Sequence, residues 1–138
     1  MLRIPALVRY VWAAPTTAVG LMIVLVGCRR VEIRVVDGVL EAHGPVLAWL
    51  LSRFTLTPGG AWAMTLGHVV IAQHRRALER TRRHERVHVR QCERWGPLFL
   101  PAYLAASLSA AVRGRDAYFG NRFEIEAFRL EAERRSSR

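Results

Sequence analysis

The chain has 138 residues, enough for one small domain with or without an anchor, and too few for a multidomain enzyme. Hydrophobic residues make up 51%, which excludes a disordered tail protein, and two cysteines with no CxxC exclude a disulfide framework. Lys+Arg number 21 against 11 Asp+Glu, for a formal charge of +10, and every basic residue is Arg; a charge of that size raises an anionic membrane face or a nucleic acid as partner.

From Val11 to Cys28 there is no charged residue, with Arg3 and Arg9 before the stretch and Arg29 and Arg30 after it. It is just long enough for a bilayer span, with Tyr10 and Trp12 where an interfacial aromatic belt falls. Residues 1–30 are therefore expected to form an N-terminal membrane helix, and residues 31–138 the folded domain. A bacterial inner membrane is the favoured location. A second reading is a lipoprotein, since Leu25-Val26-Gly27-Cys28 resembles a lipobox with Cys28 as the lipidated residue; a buried helix of a soluble domain is the third.

Val31 to Val36 alternates apolar and charged residues, Asp37-Gly38 makes a two-residue turn, and Val39 to His43 follows, which is a hairpin pattern. Val46 to Leu51 reads as a short helix, Thr57-Pro58-Gly59-Gly60 as a loop, and Met64 to Ala72 as a third strand. An Arg-rich helix is expected from about Ala77 to Trp95, stopped by Gly96-Pro97. Leu98 to Val112 reads as a buried helix, Asn121 opens a last helix through Phe123, Ala127 and Leu130, and the tail Arg134 to Arg138 is expected to fray. The fold class is α+β: a three-stranded, mainly antiparallel sheet packed on the Arg-rich helix and two further helices.

That Arg-rich helix carries His84-Glu85-Arg86-Val87-His88. Residues i and i+4 share a helix face, so two imidazoles can reach one Zn²⁺, and Glu85 projects beside it as a general base for a zinc-bound water. Such a pattern is expected by chance about once in a hundred chains of this composition. Arg83, Arg86 and Arg90 would repel a cation unless they point away. The Arg residues between Arg75 and Arg94 carry no nucleic-acid-binding signature and no interleaved aromatic platform, so nucleic acid rests on charge alone.

The stretch His84 to Tyr103 (HERVHVRQCERWGPLFLPAY) with Asn121 to Ala127 (NRFEIEA) resembles small bacterial HExxH zincins, and within them the gluzincins, such as thermolysin-like enzymes and minimal single-domain members. The resemblance covers roughly the C-terminal third and the strand before the motif. It implies zinc held by His84, His88 and a downstream Glu, peptide-bond hydrolysis with Glu85 as catalytic base, and a peptide or protein substrate lying extended on the strand Met64 to Ala72.

The third ligand is Glu124 or Glu126. Glu124-Ile125-Glu126-Ala127 matches the family's Glu-x-x-Ala through Glu124, which shares its face with Ala127 and Phe128, whereas Glu126 lies among Arg122, Phe123, Arg129 and Leu130. Asn121 and Glu124 also have capping-box spacing, which would give Glu124 a purely structural role. Phe128 stands where some membrane families carry an Asp, leaving the partners that orient the histidines unidentified. His43 and His68 are weaker ligand candidates, His74 looks solvated, Cys92 lies one turn beyond His88, and Tyr103 or Tyr118 could face an oxyanion. Trp95 and Phe99 are expected to pack the helix junction. Two other readings stand beside the zinc-dependent metallopeptidase: a non-catalytic protein stapled by zinc, and a basic module at a membrane or nucleic-acid surface.

Overall fold

The structure is a computed structural model and describes residues 5–27 and 30–137; Cys28, the lipidation candidate, lies outside the described residues. The uncharged N-terminal stretch forms helix α1, Ala6–Val26, long and apolar enough to cross a bilayer at a mean hydropathy of 1.5. One stripe of α1, Ala13, Thr16, Gly20 and Val24, is buried along its whole length. Gly20 permits the approach: a Cβ there would stand 2.8 Å from Val69 Cβ and 3.0 Å from Leu66 Cβ. Polar contacts fix the rest. The Tyr10 hydroxyl donates to the Gly38 carbonyl at 2.8 Å and its ring stacks on His68, the His68 N–H donates to Thr17 Oγ1, and Trp12 covers Gly96.

The alternating stretch gives β1, Glu32–Val36, and β2, Val39–His43, in antiparallel register from Glu32 opposite His43 to Val36 opposite Val39. Asp37 and Gly38 both take positive φ, 50° and 74°, as a tight hairpin with right-handed twist requires. Helix α2, Pro45–Phe54, then crosses one face of the sheet.

The single strand expected over Met64 to Ala72 is two strands. β3, Ala63–Leu66, and β4, Val69–Ala72, form a second hairpin around Gly67 (φ 64°) and His68. All four β4 residues are buried because both faces of that strand are covered, so no alternation marked the turn. The sheet accordingly has four strands rather than three, in the order β1-β2-β4-β3; two of its three pairings are antiparallel and one is parallel, because after α2 the β3–β4 hairpin reverses the chain and sets β4 beside β2 in the same direction. This leaves β3 at an edge.

Val24 of α1 with Leu47 and Leu51 of α2 packs on Ala42, Val69 and Ile71 from one side. Helix α3, Arg75–Trp95, packs Ala77, Leu78 and Val89 on Val39, Val70 and Ala72 from the other. His74 is exposed, as expected, and its Nδ1 also accepts the Ala77 N–H and caps α3. Gly96, at φ 56°, ends α3 and starts a single 3-10 turn, Gly96–Leu98. Helix α4, Phe99–Val112, is only half-covered, with Leu104, Leu108 and Val112 more than 60% exposed. Helix α5, Arg122–Ser136, begins at Asn121, whose Oδ1 accepts the Phe123 N–H, and stays helical through Arg134 and Arg135. Phe99 and Phe123 meet edge to face at 5.4 Å, joining α4 to α5 beneath α3. The described residues thus form an α+β fold of five α-helices and one small sheet.

Candidate metal centre

Helical spacing puts His84 and His88 on the face of α3 that α5 covers, and both are buried. Their Nε2 atoms stand 3.1 Å apart. Glu124, in the first turn of α5 and 2% exposed, reaches both: Oε2 lies 2.9 Å from His84 Nε2, and Oε1 lies 3.3 Å from His88 Nε2. One ligand atom from each of the three side chains lies within 4.8 Å of the others, so His84, His88 and Glu124 could hold one metal ion. The donor set of two imidazoles and a carboxylate is also one zinc accepts. Glu126 points elsewhere, to Gln91 and Arg94.

The neighbours that orient the histidines were hidden in the sequence. Gln91 is fully buried; its Nε2 donates to the Phe123 carbonyl and to Glu126, which turns its Oε1 toward His88 Nδ1 at 2.8 Å. His88 therefore carries its proton on Nδ1 when neutral, leaving the Nε2 lone pair facing Glu124 and His84. The signal was present: Gln91 is three residues past His88 and shares its face. For His84, Nδ1 lies 3.6 Å from Glu131 Oε2, two helical turns beyond Glu124 on α5. Phe128 packs against the His84 ring, with centroids 4.5 Å apart.

Burial alone would pull the His88 imidazolium down, but the hydrogen bond and charge of Glu124 outweigh it and raise it to about 9. Burial likewise pushes Glu124 up, yet hydrogen bonds from His84, His88 and Tyr103 hold it well below the usual carboxylate range. The Tyr103 hydroxyl donates to Glu124 Oε1 at 2.6 Å. Burial and the Glu124 charge push the phenols of Tyr103 and Tyr118 far above their ordinary value, so both stay protonated donors.

Glu85 is buried beside this cluster, and Thr65 Oγ1 of β3 donates to its Oε2 at 2.7 Å. Glu85, His88 and Glu124 all line one cavity of about 210 Å³ whose walls are apolar, built by Phe54 at the end of α2 and Leu56 after it, Met64 of β3, and Phe99, Leu100 and Leu104 of α4. Tyr118 lines the same space.

The arginines around the motif turn away. Arg86 donates to the Val36 carbonyl and to buried Glu41 on β2, and Arg82 binds Glu41 through two parallel hydrogen bonds of 2.8 Å. Arg83 and Arg90 are exposed. One face of α3 thus collects imidazoles while another buries a guanidinium–carboxylate cluster. The other ligand candidates lie elsewhere. His68 is stacked on Tyr10 with Nε2 3.0 Å from Glu93, His43 lies 3.5 Å from Glu32, and Cys92 is fully buried, its thiol pushed up to about 12 by burial.

No family model, curated protein or solved structure matches this chain.

Proposed function

We propose that this protein is a membrane-associated, zinc-dependent metallopeptidase of gluzincin type. His84, His88 and Glu124 hold the metal, and Glu85 is the general base. The observation that carries the reading is the convergence of His84, His88 and Glu124 from two helices, with one ligand atom of each within 4.8 Å of the others, and a buried carboxylate beside them on the wall of a cavity. Zinc, when bound, supplies Lewis acidity toward a carbonyl oxygen and lowers the pKa of water to about 7.

The chain's own residues do the rest. Gln91 keeps the His88 Nδ1 proton away from the ligand side, and Tyr103 holds Glu124 in place. Thr65 fixes one oxygen of Glu85; the carboxylate accepts a proton from the attacking water and returns it to the leaving amine nitrogen. Tyr118, a protonated hydroxyl on the cavity wall, is a donor for the oxygen of the carbonyl under attack. The unpaired edge of β3 offers backbone N–H and C=O groups to an extended polypeptide, and the apolar walls favour hydrophobic side chains next to the scissile bond.

Glu85→Gln provides the test. The variant is expected to keep one zinc per chain and to lose peptide hydrolysis by at least 100-fold. Hydrolysis unchanged by the substitution overturns the base assignment. Full zinc with no hydrolysis in the parent protein favours the alternative of a zinc-stapled structural protein, and absence of stoichiometric zinc removes both.

A further inference from the structure

Two apolar stripes face outward with no protein over them among the described residues. On α1, Leu7, Val11, Met22, Leu25 and Val26 are 64–74% exposed. On α4, Leu104, Leu108 and Val112 repeat at helical spacing and are 61–80% exposed. Patches of this extent on a soluble monomer mark a contact surface. The opposite stripe of α1 is docked from end to end, on Gly96 near its start, on Gly67, Leu66 and Val69 at its middle, and in the α2–sheet core at Val24.

That docking decides how α1 can meet a membrane. If α1 crossed the bilayer, it would carry β3 and β4 to hydrocarbon depth, together with the unpaired backbone groups of the β3 edge. Unpaired backbone is penalised there. With α1 lying flat, only the outward stripe enters lipid and every polar contact stays where it is.

We infer that α1 lies in the plane of an anionic membrane surface, its outer stripe and that of α4 immersed at the headgroup–acyl boundary, and does not span the bilayer. Charge favours lipid as the occupant over a second copy of the chain. The net charge is +10, and exposed Arg53, Arg113 and Arg115 sit at the ends of the apolar segments, beside Phe54 and Val112. Two copies would bring like charge together, whereas an anionic surface neutralises it. Phe54, Leu56 and Leu104 are both exposed and part of the cavity wall, so the cavity opens within this surface. The inference rests on the membrane location proposed above but not on zinc or on hydrolysis.

Depth measurement on the full chain tests it. A polarity-sensitive fluorophore is attached to Leu7→Cys, Ala18→Cys, Leu25→Cys or Leu108→Cys in a Cys28→Ser, Cys92→Ala background, and quenched by lipids brominated at known acyl positions. The vesicles are phosphatidylglycerol–phosphatidylcholine mixtures, with phosphatidylcholine alone for comparison. A flat helix puts all four labels at one shallow depth, with binding that weakens in neutral vesicles and in high salt. A spanning helix puts Ala18 about 10 Å deeper than Leu25, from seven residues at 1.5 Å rise, and that result overturns the in-plane geometry while leaving the membrane location intact. Labels that remain in water, with no vesicle binding or with dimerisation instead, overturn the geometry and the location together. Circular dichroism of each labelled protein confirms that it is folded before it is scored.

Discussion

Gln91→Leu tests the candidate centre at one remove from the ligands. The substitution keeps the side-chain volume and removes the acceptor that holds the His88 Nδ1 proton at 2.8 Å, together with the donor to the Phe123 carbonyl. The imidazole is then free to rotate or to move its proton to Nε2, the nitrogen that faces the metal position. Loss of such an orienting partner weakens metal affinity about 10- to 100-fold, or about 1.4–2.7 kcal/mol. Because Gln91 is fully buried, His88 Nδ1 and the Phe123 carbonyl lose a buried partner, while the partly exposed Glu126 keeps Arg94, so the metal-free protein is expected to lose about 2–5 kcal/mol of unfolding free energy. Zinc affinity is read by competition with a chromophoric chelator and stability by urea denaturation with chelator present, with His88→Ala as the variant that removes a ligand outright. Wild-type zinc affinity in Gln91→Leu alongside its loss in His88→Ala would refute the tautomer argument. It would place Gln91 among ordinary packing residues.

Four further outcomes are expected. In the metal-free protein, the His88–Glu124 pair makes stability depend on pH from both sides. His88 is raised from 6.5 to about 9, so its contribution is complete below about 6.5 and is lost as pH rises through 9; Glu124 is lowered from 4.5, so its contribution is present above that value and fades as pH falls. Urea unfolding with chelator should therefore give higher stability at pH 5.5 than at pH 9.5, and equal values would contradict the pairing. Zinc must displace the His88 proton, so zinc affinity should climb with pH up to about 9 in the same titration series. Thr65→Val removes the hydroxyl that holds Glu85 and should lower kcat/KM about 10-fold with zinc content unchanged. Glu41→Ala strands the Arg86 guanidinium beneath α3; with Arg82 a third exposed, the loss in a denaturation assay should be about 2–4 kcal/mol.

Where the sequence carried its own local chemistry, it was readable. Asp37-Gly38 announced the first hairpin because few residue pairs tolerate two successive positive φ angles. The spacing of His84 and His88 put both on one face, and the inward company of Glu124 separated it from Glu126 in direction. The second hairpin was not readable. Gly67-His68 lies between buried apolar residues, and a strand covered on both sides reads as an unbroken apolar run. The parallel pairing of β2 with β4 escaped for the same reason, since it follows only once that run is split. The docking of α1 depends on Gly20, Gly67 and Gly96, three absences of side chain whose meaning appears only when another segment approaches. Nor could periodicity tell that α4 covers the junction with one face only, because its composition is apolar all round.

The seat of Trp12 on Gly96 has a mechanical consequence. Gly96 is the joint between the helix that holds both imidazoles and the helix that holds Tyr103, and the indole presses on that joint from outside. The same first helix also touches the imidazole-bearing helix directly, through Ala13 on Cys92 and Arg9 on Glu93, so whatever surface holds its outer side is coupled to the site at the joint and one turn from His88.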